Sequence, residues 1–124
     1  MTYFMTQKNH LALVYALSKR IEKKIDQVIY LEELAIYSGY SLWYMQKIFK
    51  KNTGITLGKY ITQKKLAGTV NSLRNSNKSI FDIALDFGFG SQSHFTYMFR
   101  KEYGITPFIF RKKINTIKNK TISF

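Results

Sequence analysis

The stretch that decides the fold is residues 79–111, SIFDIALDFGFGSQSHFTYMFRKEYGITPFIFR. Ser79 is followed three residues later by Asp82, a Ser-x-x-Asp variant of the capping box that starts helices. Apolar residues then recur at helical spacing until Gly88, which favours a helix C-terminus because glycine accepts a positive φ. Ser91 can cap a second helix by accepting a hydrogen bond from its first N–H groups. Two short helices joined by a glycine-containing turn predict a helix-turn-helix.

The same pattern occurs earlier in the chain, so the sequence contains an internal repeat. The offset is 50 residues downstream of the turn and 49 upstream, and the one-residue difference falls in the turn, where insertions are tolerated best. The matching positions are Gly54-Ile55-Thr56 with Gly104-Ile105-Thr106, Met45 with Phe95, Phe49 with Phe99, Leu34 with Ile83, and Gly39-Tyr40 with Gly88-Phe89. A duplication of about 50 residues is typical of a repeated supersecondary unit. The alternative is two unrelated helical hairpins in an all-α domain.

The chain carries a formal net charge of +13, and this charge is unevenly distributed. No acidic residue occurs between Glu33 and Asp82, and after Glu102 every charged residue is basic. The interval without acids holds Lys47, Lys50, Lys51, Lys59, Lys64, Lys65, Arg74 and Lys78. Such a footprint suits a polyanion, because lysine and arginine neutralise phosphates and release their counterions. The charge therefore predicts binding to nucleic acid, and the alternative is a basic surface with no polyanionic partner.

Other classes of function are disfavoured by what the sequence lacks. Cysteine is absent and histidine occurs only twice, so we expect no disulfide, no metal site and no cofactor. We find no nucleophile–base set and no phosphate-binding loop, and therefore expect no enzyme. The absence of a long apolar run and of a signal peptide predicts a cytoplasmic protein. A cationic protein acting at membranes is disfavoured because the aromatic residues fall at core positions.

The chain is expected to be helical nearly throughout, with a loose start at residues 1–6. A helix at about residues 7–26 places Leu11, Val14, Leu17, Ile21 and Ile25 on its apolar face. The predicted parts are an N-terminal subdomain (1–54) with the first helix-turn-helix (about 31–52), a linker helix (55–75), a C-terminal subdomain (76–111) with the second helix-turn-helix (about 79–103), and a basic tail (112–124).

The linker helix and the C-terminal end carry two further expectations. A linker of about 16 residues is roughly 24 Å long, which suits two recognition helices about one duplex turn apart. We expect Phe108, Ile109 and Phe110 to pack a last short turn under the second motif. The tail from about Lys112 has little periodicity and is expected to fray.

The second helix of each motif presents a polar stripe. In the first motif Trp43, Gln46, Lys47 and Lys50 are related by three, four and seven positions, so they share one helix face. Glutamine can bond adenine edges, lysine can reach guanine or phosphate, and tryptophan can pack on a thymine methyl group. Trp43 could instead be a core residue, but its position in the helical period favours exposure. The matching stripe of the second motif is Gln92, Ser93, Thr96, Tyr97 and Arg100.

These residues resemble the signature of the AraC/XylS transcription regulators. The resemblance rests on Gly88-Phe89, Ser91, Phe95, Phe99-Arg100-Lys101, Gly104-Ile105-Thr106-Pro107 and Phe110-Arg111. Residues 39–61, GYSLWYMQKIFKKNTGITLGKYI, are similar to the small MarA/SoxS/Rob subgroup. The resemblance implies an all-α domain of seven helices, with two helix-turn-helix lobes bridged by the long helix. It also implies a monomer that places both recognition helices in successive major-groove segments of double-stranded DNA.

The resemblance also implies the residues that contact DNA. Those carried over to base edges are Trp43, Gln46, Lys47, Gln92, Ser93, Thr96 and Tyr97, and those carried over to the backbone are Ser41, Lys50, Lys51, Ser91, Arg100 and Arg111. The subgroup has arginine at the positions of Lys47 and Tyr97. Lysine keeps the positive charge of arginine but loses the planar guanidinium that can donate two parallel hydrogen bonds. Tyrosine keeps neither property.

The predicted function is a sequence-specific transcriptional activator in the bacterial cytoplasm, associated with the nucleoid. By resemblance it recruits RNA polymerase to genes for stress and antibiotic resistance, and its activity is set by its amount rather than by a bound small molecule. The alternative function is a sequence-independent, basic protein that coats nucleic acid.

Overall fold

The computed structural model describes the backbone of residues 3–122 and the side chains of residues 9–120, and the described part contains seven helices and no strand. The helices are α1 (Tyr3–Lys23), α2 (Leu31–Ser38), α3 (Leu42–Thr53), α4 (Leu57–Asn75), α5 (Ile80–Asp86), α6 (Gln92–Tyr103) and α7 (Pro107–Ile122). The predicted all-α fold with two helix-turn-helix motifs, α2–α3 and α5–α6, is confirmed. The chain divides into two compact units, residues 1–25 with 29–62 and residues 26–28 with 63–124.

The two motifs begin their recognition helices with the same hydrogen bond. The Ser41 hydroxyl accepts from the Tyr44 N–H at 3.1 Å, and the Ser91 hydroxyl accepts from the His94 N–H at 3.1 Å. Each serine stands in extended backbone just before its helix and satisfies an N–H that the helix leaves unpaired. The repeat seen in the sequence is therefore a repeat of local hydrogen bonding.

The exits of the two recognition helices also match. The Gly54 N–H donates to the Lys50 carbonyl and the Gly104 N–H donates to the Arg100 carbonyl, both at 2.8 Å and with left-handed backbone. Two residues later, the hydroxyls of Thr56 and Thr106 each accept an N–H of the next helix at 3.2 Å. Each recognition helix is thus capped at both ends by residues of its own unit, by a serine hydroxyl at the start and by a glycine N–H at the end.

The first unit packs α1, α2, α3 and the start of α4 around one apolar core. Its buried members are Leu13, Leu17, Ile21, Leu34, Ala35, Met45, Ile48, Phe49, Leu57 and Ile61. The expected inward position of Leu11 is wrong, because this side chain is 59% exposed and Leu13 is buried instead. Leu13, Leu17 and Ile21 recur every four residues, and this spacing defines the buried stripe of α1.

The second unit has an aromatic core. Its buried members are Leu66, Leu73, Ile83, Ala84, Phe89, Phe95 and Phe99. The Phe99 ring lies 5.8 Å from the rings of both Phe95 and Phe110, in edge-to-face geometry, and 4.7 Å from that of Tyr103. Such contacts add to the stabilisation from apolar burial alone. Phe99 therefore joins α6 to α7 within this unit.

Both ends of the chain are more helical than expected. α1 already begins at Tyr3, and α7 continues to Ile122 instead of ending as a short turn near Arg111. Phe110 packs on the second core as predicted, but Phe108 and Ile109 are 65% and 43% exposed, so their expected packing under the motif is wrong. The expectations for residues 1–2 and 123–124 lie outside the described residues.

Gly68 in the middle of α4 makes room for an aromatic ring. A Cβ atom at this position would lie 2.4 Å from Cε1 of Phe87, which is well inside van der Waals contact. Glycine in a helix interior costs about 1 kcal/mol relative to alanine. The close approach of Phe87, which packs against the second core, offsets that cost.

Lys65 is buried in the second unit, so it does not belong to the basic surface in which the sequence places it. Its ammonium donates to the Phe87 carbonyl at 2.7 Å and to the Gln27 carbonyl. Burial lowers the pKa of Lys65 from 10.5 to about 8, although the negative charge of Asp26 partly opposes this shift. The lysine joins three separate segments of the chain and is a structural cation.

Gly88 is required by the same junction. Its backbone is left-handed, with a φ of +68°, and a Cβ atom there would lie 2.5 Å from the carbonyl carbon of Gln27. Gly90 is also left-handed, with a φ of +81°, but a Cβ atom there would meet nothing within 4 Å. A side chain at Gly88 would therefore meet both backbone strain and a steric clash, whereas a side chain at Gly90 would meet backbone strain alone.

We expect Gly88→Ala to reduce the free energy of unfolding by roughly 2–4 kcal/mol, because strain and overpacking add. Gly90→Ala is the matched control and should cost about 1 kcal/mol, from strain alone. Urea unfolding followed by circular dichroism measures both values. Equal losses in the two variants would contradict the close packing of Gly88 against Gln27.

We expect the free energy of unfolding to rise with pH between about 8 and 10.5, because Lys65 has the lower pKa in the folded state and the unfolded chain then binds more protons. The rise should be on the order of 1 kcal/mol by pH 9.5. Urea unfolding at several pH values tests this in the wild type, in Lys65→Met and in Lys64→Met, which changes the exposed neighbouring lysine. The rise should persist in Lys64→Met and disappear in Lys65→Met; a rise that survives in Lys65→Met must come from another group.

Candidate nucleic-acid interface

The apolar face of α3 packs into the first core, and its polar residues lie on the opposite, outer face. Met45, Ile48 and Phe49 are buried, so helical geometry turns the intervening positions outward. Trp43 is 67% exposed, which confirms the prediction that it lies outside the core. Lys47 and Lys50 are exposed beside it, and Gln46 is half-buried. The stripe expected from the sequence is therefore assembled on one helix face.

Trp43 and Lys47 are held together on this face. The Lys47 ammonium lies 4.8 Å from the centroid of the Trp43 ring, and the ring of Tyr44 stacks 6.4 Å from that of Trp43. A cation over an indole face is attracted by the ring quadrupole, and this is worth about 0.5–1 kcal/mol at exposed sites. The indole thus restrains a charged side chain that can point toward a base edge or a phosphate.

An open concavity of about 470 Å³ lies against this stripe. It is lined by Trp43, Gln46, Lys47, Lys50, Lys51, Thr56 and Leu57. The lining combines three lysines with one amide and contains no acidic side chain. This is the combination that contacts to phosphates and base edges require.

The outer face of α6 is built in the same way but carries less charge. Phe95 and Phe99 are buried, which leaves Gln92, Ser93 and Tyr97 exposed and Thr96 half-buried. Arg100 is exposed in the last turn of the helix. The predicted residues of the second motif therefore share one surface, on which an arginine supplies the positive charge.

Three of the residues predicted to contact the DNA backbone form hydrogen bonds within the protein itself. Ser41 and Ser91 accept the N-cap hydrogen bonds of α3 and α6. The Arg111 guanidinium donates to the carbonyls of Leu73, Ser76 and Lys78. Lys50, Lys51 and Arg100 stay exposed on the recognition helices.

The sequence carries no local signal for this role of Arg111, and the structure places it. Arg111 lies four residues after Pro107, which is fully buried, so the two residues share the inward face of α7. From there the guanidinium reaches the last carbonyls of α4 and the loop that follows, groups that a helix C-terminus leaves without partners. The arginine therefore ties α7 to the start of the second motif.

The described residues contain no group of three or more histidine, aspartate or glutamate side chains that could hold a metal ion. None of the described helices is long and apolar enough to cross a membrane.

Comparisons with known proteins agree with this geometry. A family model described as a helix-turn-helix domain matches residues 34–113. The regulatory protein SoxS of Salmonella typhimurium is 39% identical over 106 residues, which cover 86% of this chain and 99% of that protein. The probable transcription factor PqrA of Proteus vulgaris is 44% identical over 87 residues, which cover 70% of this chain and 71% of that protein.

A solved structure shares the whole architecture. The DNA-binding domain of AdpA, a global transcriptional factor, determined in complex with a target DNA, superposes with a TM-score of 0.81 at 18% identity. The match covers 86% of this chain and 96% of that one, and it establishes the shared fold. Family model, sequence relatives and fold together lead to one conclusion: the chain belongs to the AraC/XylS family of DNA-binding transcription regulators, which are not enzymes, and within it to the small MarA/SoxS/Rob-like subgroup.

Proposed function

We propose that this regulator activates transcription after binding a two-part site in duplex DNA, with α3 and α6 each entering the major groove. The observation that carries the proposal is the polar stripe on each recognition helix, opposite a fully buried face and between matching caps. A helix of this kind fits the major groove, where each base pair displays a distinct pattern of donors and acceptors.

In the first motif we assign base readout to Trp43, Gln46 and Lys47. The Gln46 amide can bond an adenine edge in two places, and Lys47 can donate to a guanine from its place over the indole ring. Lys50 and Lys51 are assigned to phosphates, because they are exposed on the same concavity. Phosphate contacts set the register of the helix, and base contacts set its sequence preference.

In the second motif we assign base contacts to Gln92, Ser93, Thr96 and Tyr97, and a phosphate contact to Arg100. This surface has an amide but no lysine, and its hydroxyl groups can bond several base edges, so it discriminates between sequences less sharply than the first motif. The large aromatic side chain of Tyr97 adds apolar contact area. We therefore propose that the first motif contributes more to sequence preference than the second.

The finer biology rests on the similarity to SoxS and PqrA. We propose a monomer in which residues 1–54 and 76–111 each supply one motif and residues 55–75 join them. We also propose a contact with RNA polymerase, a place in the cytoplasm at the nucleoid, and control of stress and antibiotic-resistance genes. The alternative is a protein that coats nucleic acid without sequence preference, a function favoured only by the net charge of +13.

Selection of bound sequences from a random duplex library tests the proposal. We expect enrichment of a two-part site whose halves lie about one helical turn apart. On that site, affinity should exceed affinity for random duplex by about 10³ or more at physiological salt. Tight binding without enrichment, lost steeply as salt rises, would favour the coating function instead.

On the selected site we expect Gln46→Ala and Lys47→Ala to weaken binding about tenfold or more, because each removes a base-edge partner. Thr96→Ala and Tyr97→Ala should each have a smaller effect. Fluorescence anisotropy with the selected duplex measures the four affinities, and random duplex serves as the control for sequence-independent loss. Equal losses from the two motifs would contradict the proposed division between them.

We expect Arg111→Ala to lower the free energy of unfolding by about 2 kcal/mol, because three carbonyls lose a charged donor. The salt dependence of DNA binding by the folded variant should stay unchanged. Lys50→Ala is the matched control, and it should reduce the slope of log affinity against log salt by about 0.9 while leaving stability unchanged. A reduced slope with normal stability in Arg111→Ala would make that arginine a phosphate contact.

A further inference from the structure

α7 has an inward face that belongs to the second unit and an outward face that serves no core. Phe110 packs against Phe99, and Arg111 donates to carbonyls of α4 and the following loop. Helical geometry then turns Ile109, Thr116 and Lys120 to the opposite side.

Two exposed apolar side chains lie along this helix and border one groove. Ile109 and Ile117 are 43% and 59% exposed. A surface concavity of about 500 Å³ lies along the helix and is lined by Ile109, Lys112, Lys113, Thr116 and Ile117. Single exposed apolar residues are normal on a protein, but two that line the same groove on one helix are typical of a contact surface.

The charge of this helix has one sign. α7 holds Arg111, Lys112, Lys113, Lys118 and Lys120 and no acidic residue. Arg111 and Lys118 donate to backbone carbonyls of Leu73 and Arg74, whereas Lys112 and Lys113 are exposed on the groove. No ion pair of these two lysines is found within the described part of the chain. A partner in the groove would therefore meet positive charge beside apolar side chains.

The second half of α7 lies beyond the domain that the family model matches, which ends at residue 113. The helix nevertheless continues to Ile122 and is attached to the end of α4 through Lys118. The outward face is thus a formed helical surface, and a partner that binds it does not have to order it first.

We propose that the groove on the outward side of α7 is a docking surface for an acidic amphipathic helix of a protein partner. The groove is lined by Ile109, Lys112, Lys113, Thr116 and Ile117. An apolar edge on such a helix would cover Ile109 and Ile117, and flanking carboxylates would pair with Lys112 and Lys113. Duplex DNA would neutralise the lysines but leave the isoleucines in water. A membrane surface requires apolar and basic residues on separate faces, whereas here they line the same groove.

The test uses the full chain and a labelled peptide of 16 residues, made of leucine at helical spacing and glutamate elsewhere. A scrambled peptide of the same composition controls for charge alone. We expect the amphipathic peptide to bind, and the double variant Ile109→Ser, Ile117→Ser to weaken it about tenfold or more. Lys112→Gln with Lys113→Gln should weaken binding and reduce its salt dependence. Ile36→Ser, which removes an 82% exposed isoleucine of the first unit, should change nothing.

Four outcomes would overturn the proposal. The first is that the amphipathic peptide does not bind. The second is that the scrambled peptide binds as tightly, which would reduce the effect to charge attraction. The third is that vesicles of phosphatidylglycerol bind through the two isoleucines while the peptide does not, which would make the partner a membrane. The fourth is that the isoleucine variant loses affinity for the selected duplex, which would place α7 in the DNA interface. Circular dichroism of each variant establishes that the chain remains folded.

Discussion

A buried phenylalanine at the same position of each recognition helix sets the side that the helix presents. Phe49 and Phe99 are fully buried, each in the core of its own unit, and each is followed five residues later by a glycine that ends the helix. Once one side of a helix is fixed in a core, helical geometry determines which residues face outward. The stripe from Trp43 to Lys50 and the stripe from Gln92 to Arg100 are both consequences of that constraint. The caps at Ser41 and Ser91 then fix where each stripe begins.

The cations of this chain serve two purposes that composition does not separate. Lys65 and Arg111 hold backbone carbonyls within the second unit, and Lys118 holds the carbonyl of Arg74. These carbonyls lie at helix ends or in loops, where the backbone has no internal partner, so a long cationic side chain is a suitable donor. The lysines of α3 instead line an open concavity. Net charge therefore overstates the part of the chain that can neutralise phosphate, and the position of each cation decides its role.

The two copies of the repeat share the hydrogen bonds that cap their recognition helices, but their exposed residues differ. The hydrogen bonds that cap and follow the two recognition helices have the same lengths, 3.1 Å and 3.2 Å, whereas the faces that the helices present differ. Gly58 and Lys59 at the start of α4 correspond to Phe108 and Ile109 at the start of α7. The start of α4 therefore exposes a glycine and a lysine, whereas the start of α7 exposes two apolar side chains. The duplication thus produced two helix-turn-helix units with the same framework, and their different exposed residues allow them to bind different partners.

The sequence by itself determined the bounds of α2 to α6 closely, the paired caps, and the two outward stripes, because each depends on residues within one turn of helix. It also placed Trp43 outside the core and Phe95 and Phe99 inside, since their neighbours define the apolar period. Only the tertiary structure decided that Lys65 is buried, that Arg111 caps α4, that Gly88 lies against Gln27, and that Leu13 replaces Leu11 in the core. The contacts of Lys65 and Arg111 join residues 22 to 38 positions apart. Such contacts cannot be predicted from a periodic sequence pattern. The partner of each side chain is a backbone carbonyl, and every residue in the sequence has a backbone carbonyl.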